Sequence, residues 1–132
     1  MNGITLPAVQ TYVHESFGEG AFPMIAVTRH TEDDEFHFKN ICGALKLQLT
    51  GSAVVKEVKL TGNAAERLSG KAIVYGFKDN LSPQIQMQED ASESVTLDCG
   101  SGVSSMKLHD CIHIGLASCR VRKGLYSNNY HC

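Results

Sequence analysis

His109, Cys111, His113 and Cys119 offer thiolate and imidazole groups, the ligands that tetrahedral zinc prefers. Their spacing works against such a site. His109, Cys111 and His113 alternate along the chain and would all leave one face of a strand, and no CxxC pair is present. Neither a metal nor any other cofactor is expected. Cys42 and Cys99 are the two cysteines outside this tail. In an oxidising compartment they could form a disulfide if their Cα atoms approach within about 7 Å, and otherwise they are buried thiols behaving as small hydrophobes. His37 lies upstream of Cys42, yet a cysteine nucleophile also needs a third group to orient its histidine, and none is apparent, so His37 reads as a surface residue. The run Glu32, Asp33, Asp34 and Glu35 lacks the spaced oxygen ligands and the glycine of a calcium loop and reads as a solvated turn. The chain carries no P-loop, GxGxxG or HExxH pattern. No catalytic residue is expected.

The elements that would position these groups are short strands. Residues 44–50 alternate, with Leu45, Leu47 and Leu49 on one face and Lys46, Gln48 and Thr50 on the other, the mark of a sheet with one wet side. After a Gly51-Ser52 turn, residues 54–61 read as the antiparallel partner, with Val54, Val58 and Leu60 inward. The core is expected to form around Leu45, Leu47, Leu49, Val58 and Leu60. Further strands are expected at 22–28, 36–41, 71–77, 83–88 and 94–99, with Phe36 and Phe38 on the face opposite to His37. Residues 1–20 read as loop with a helical turn near 9–13, and another helical turn is expected at 64–67. Twelve glycines and three prolines suit a turn-rich all-β chain, and 132 residues suffice for one domain.

Charge divides the chain. The formal net charge is −2, but residues 107–132 carry Lys107, Arg120, Arg122 and Lys123 against Asp110 alone, together with Cys111, Cys119, Cys132, His109, His113 and His131. The remainder is acidic and would repel phosphates, so no nucleic-acid partner is expected. No apolar run is long enough to span a membrane, so no insertion is expected. The opening Met1-Asn2-Gly3-Ile4 lacks the basic and apolar regions of a signal peptide, which places the chain as written in the cytoplasm.

Several motifs bear a family resemblance. Phe38-Lys39-Asn40-Ile41-Cys42-Gly43-Ala44-Leu45-Lys46-Leu47-Gln48-Leu49 resembles the FKN(L/I)CGxLKLxL signature of the fimbrillin family. Val58-Lys59-Leu60-Thr61-Gly62-Asn63 and Leu68-Ser69-Gly70 are similar to its continuation, and Ser94-Val95-Thr96-Leu97-Asp98-Cys99-Gly100 to the strand that follows. Leu6-Pro7-Ala8-Val9-Gln10-Thr11-Tyr12 and Gly20-Ala21-Phe22-Pro23-Met24 match upstream. The five occur in the family's order across residues 3–103.

This resemblance implies an antiparallel β-sandwich of transthyretin-like type. The implied role is that of a non-enzymatic subunit of cell-surface fimbriae at the outer membrane, joined to other fimbrial subunits by strand exchange. It further implies an incomplete domain over residues 1–106, lacking leading strands and therefore prone to self-association, followed by an atypical tail at 107–132. Read one base late with free choice of the middle base, residues 117–127 permit PPVEFEKGFTV, which the family would place there, so the tail is expected to be out of frame. A surface glycan-binding lipoprotein module is the alternative, but it needs exposed aromatics for sugar stacking, and the chain has no Trp and only Tyr12, Tyr75, Tyr126 and Tyr130.

Overall fold

Alternating apolar and polar side chains give an all-β chain in the computed structural model, which describes residues 2–26, 35–75, 83–104, 111–117 and 130–131. No helix occurs among them. The strands are β1 (Asn2–Leu6), β2 (Val9–Thr11), β3 (Met24–Ala26), β4 (Phe38–Asn40), β5 (Gly43–Gln48), β6 (Val54–Thr61), β7 (Gly70–Tyr75), β8 (Gln84–Met87), β9 (Ser94–Ser104), β10 (Cys111–Leu116) and β11 (Tyr130–His131). They form four small sheets, in the orders β1-β7-β8, β10-β5, β11-β6-β9-β2 and β3-β4. All pairings are antiparallel except β2 with β9.

Two apolar clusters hold these sheets together. The first joins Val58 and Leu60 of β6, Val95, Leu97 and Cys99 of β9, Leu68, and Ile114 of β10. Leu45, Leu47 and Leu49 pack against it from the β5 side, half-buried, with Lys46, Gln48 and Thr50 exposed as alternation requires. The second gathers Leu6, Ile41, Cys42, Val74 and Ala117, with Ile4, Ile25, Ile85 and Met87 against it. Burying apolar area at about 25 cal/mol per Å² is the main favourable term in such clusters.

Four expectations are corrected here. Within residues 1–20, expected as loop, residues 2–6 form a strand: β1 pairs with β7, because Ile4 and Leu6 alternate toward the second cluster. No helical turn forms near 9–13: residues 9–11 are strand, held by pairing rather than by an apolar pattern, with Thr96 N–H donating to Ala8 O (2.8 Å) and Tyr12 N–H to Asp98 O (2.9 Å). Strands β5 and β6 are not partners. β5 pairs with β10 and β6 with β9, so their leucines and valines meet through side-chain packing instead of a shared ladder. No helical turn forms at 64–67, where Ala65 takes a positive φ of 58° and the Glu66 carboxylate accepts the Ala64 N–H (2.8 Å).

A fifth correction concerns Val54. The β6–β9 register shifts between Val55 and Glu57, so that Lys56 lies opposite the segment Cys99, Gly100, Ser101 and Gly102. This bulge turns Val55 toward the first cluster and leaves Val54 exposed, separating Val54 from the face of Val58 and Leu60. Positive φ at Gly100 (61°) and Gly102 (114°) makes the bulge accessible to the backbone, and the Asp98 carboxylate accepts the Gly100 N–H (2.8 Å). Strand β9 therefore continues past the expected end at Cys99. The expected domain boundary at 106/107 falls between β9 and β10, and β10 pairs with β5 across it.

Candidate functional site

A buried polar clamp surrounds Gln10. Its neighbours Val9 and Thr11 face outward, so β2 sends this one side chain inward, where it is 2% exposed. The Gln10 amide donates through Nε2 to Gly115 O (2.9 Å), and its Oε1 accepts from Gly115 N–H (3.0 Å). A strand turns a residue's N–H and C=O to the same side, so Gly115 presents both groups away from β5 and Gln10 completes them. The amide thus substitutes for a neighbouring strand.

Glycines make room for this clamp. A Cβ at Gly18 would collide with the Thr11 carbonyl, so the loop after β2 folds tightly back on it, helped by Ala21 N–H donating to Gly18 O (3.1 Å) and by stacking of Phe17 on Phe22 (4.4 Å, 10°). That fold lays the Ala21 carbonyl against Gly115, where any Cβ would strike it. Ala117 N–H then donates to Leu68 O (3.2 Å). The arrangement fastens a strand and carries no nucleophile or acid–base pair.

Cys42 and Cys99 are both buried thiols, in the second and first clusters respectively, and are not bonded to one another. Neither ends a strand: Cys42 occupies the bend before β5, and Cys99 lies within β9. Burial pushes the Cys99 thiol above its ordinary 9.0, and the adjacent Asp98 carboxylate adds to the rise. His37 is exposed, with Nε2 3.6 Å from the Glu35 carboxylate, far from the buried setting of Cys42 in character.

Of the tail residues, His109 and Cys119 lie outside the described residues, as do Glu32, Asp33, Asp34, Tyr126 and Cys132. Cys111 and His113 are placed on β10 opposite Gln48 and Lys46. Among the described residues no group of three or more His, Cys, Asp or Glu could hold a metal ion, and no helix is long and apolar enough to cross a membrane. Tyr12 is half-buried against the first cluster, while Tyr75 is exposed at the end of β7.

Sequence reasoning missed two features. The Gln10 clamp had no local signal, although the residue lies inside a family-like motif. The other is a set of exposed apolar side chains on and just before the β3–β4 sheet: Met24, Phe36 and Phe38 are 58%, 64% and 67% exposed. Phe36 and Phe38 alternate with His37 in the sequence, but alternation alone does not say which face meets water. A scan against family models and searches of curated proteins and of solved structures returned no match.

Proposed function

We propose that this chain is a non-enzymatic structural and adhesive subunit of cell-surface fimbriae, similar to the fimbrillins and assembling with other subunits by strand exchange. The observation that carries the reading is the all-β architecture of small, unclosed sheets, none with more than four strands. Unclosed sheets end in strands with unpaired N–H and C=O groups, which an incoming strand can satisfy while adding apolar side chains to the core. The five ordered motifs supply the family. Packing of the β5–β10 pair against β6 and β9 fits a transthyretin-like sandwich.

Polymerisation by strand exchange makes a specific prediction. Purified chain, concentrated and run without boiling in SDS, gives a ladder that collapses to one band on heating, and electron microscopy shows rods. A single SDS-dissociable species at every concentration would sink this reading. The companion expectation for residues 107–132 is settled by resequencing the coding DNA. A late frame spelling PPVEFEKGFTV supports the family, and middle bases spelling anything else remove that support.

A further inference from the structure

The β3–β4 sheet ends in an exposed edge whose sequence is complementary to itself. Among the described residues β4 has one strand partner, β3, and every residue from Glu35 to Asn40 is exposed. Ile41 N–H donates to Pro23 O (3.5 Å), and the register continues through Lys39 opposite Ile25. Strand alternation therefore turns the backbone groups of Ile41 and Lys39 toward β3 and directs the N–H and C=O of Phe38 and Asn40 to the outer edge. Residues 35–37 precede the strand, and extending it through them would direct those of Phe36 outward as well. Glu35 and His37 lie on one face, as their 3.6 Å approach shows, and Phe36 and Phe38 lie on the other with Met24 and Ala26.

We propose that β4, extended back through the exposed residues 35–37, pairs along its outer edge with the same edge of a second copy of the chain, antiparallel and centred on His37. In that register Glu35 stands opposite Lys39 of the second copy and Lys39 opposite Glu35, while Phe36 meets Phe38 twice. The aromatic pairs fall on the face that Met24 extends, and the ion pairs fall on the opposite face. Phe38 carries outward backbone groups, and Phe36 would carry them in the extended strand, so the same register that matches the side chains would form the hydrogen-bonded pairs. Three requirements that need not coincide are met together: edge polarity, charge and aromatic contact. Opposite charges and aromatic residues placed directly across an antiparallel pair are each favourable, and like charges there are unfavourable. The contact is isologous and closes as a two-fold dimer. Its two-fold symmetry differs from that of head-to-tail strand exchange, and it does not depend on that reading.

Sedimentation of the whole chain over a concentration series tests the dimer. Glu35→Lys alone and Lys39→Glu alone each place like charges across both pairs and are expected to weaken association about tenfold. Two arrangements restore it: the double variant E35K/K39E, and an equimolar mixture of the two single variants, which associate as a heterodimer. The mixture is informative because a misfolded variant or a contact within one chain could not be rescued by a second, oppositely charged copy. High salt weakens the wild-type dimer, and SDS without heating dissociates it, which distinguishes it from strand-exchanged polymer. A chain that stays monomeric to its solubility limit, single variants that associate like wild type, or a mixture that does no better than its components would each overturn the proposal.

Discussion

Replacing Gln10 with leucine keeps the side-chain bulk but strands the Gly115 N–H and C=O in a buried place. An orphaned buried group costs about 1–3 kcal/mol, so Gln10→Leu is expected to lower unfolding free energy by about 2–5 kcal/mol, read from urea denaturation. A loss under about 0.5 kcal/mol would show that Gly115 finds other partners. Cys99 makes a pH prediction. The unfolded thiol ionises at its ordinary 9.0, whereas the folded thiol, raised by burial and then by Asp98, holds its proton to higher pH. The folded state thus binds the extra proton, and this contribution to stability is complete below 9.0 and is lost as pH rises through the folded value. Urea midpoints should fall above pH 9.0 in wild type and fall less in Cys99→Ala; equal slopes would remove the effect. The half-burial of Leu45, Leu47 and Leu49 and the deep burial of Val58 and Leu60 follow the period of the sequence. Gln10 could not be read that way, because its partner lies 105 positions along the chain.

At the scale of elements, the bulge in β9 decides how β6 presents its side chains. Gly102 has a φ of 114°, and a Cβ there would strike Val54 Cγ1. Gly102→Ala is therefore expected to cost about 1–3 kcal/mol, since it combines a strained backbone with a collision. Gly3→Ala, where a Cβ meets nothing within 4 Å, is the control. Denaturant midpoints compare the two, and equal effects would mean that the bulge relaxes freely. Sequence pattern located β5, β6, β7 and β8 because each alternates or begins and ends at turn residues. It failed where pairing, not pattern, makes the strand: β2 has only Gln10 inward, and β9 runs through two glycines that usually signal a stop. Neighbours in sequence were also poor guides to partners. Gly51-Ser52 resembles a hairpin turn between β5 and β6, yet a turn fixes chain direction without fixing which ladder the next strand joins.

For the whole molecule, β10 and the residue just after it reach both clusters. Ile114, fully buried, belongs to the first, and Ala117, just past the strand, belongs to the second. If this bridge couples them, the two clusters unfold as one unit although the sheets are separate. Cys99 reports on the first cluster and Cys42 on the second, and both are buried. With Cys111, Cys119 and Cys132 changed to serine, thiol labelling in rising urea should expose Cys42 and Cys99 at one midpoint. Ile114→Ala, a large-to-small change in a packed site, is expected to cost about 2–5 kcal/mol and to move both midpoints down together. Were Cys99 to become reactive first in Ile114→Ala while Cys42 stayed protected, the clusters would be independent cooperative units. The apolar contact of β10 would then hold the first cluster alone, and Ala117 would be a passenger in the second.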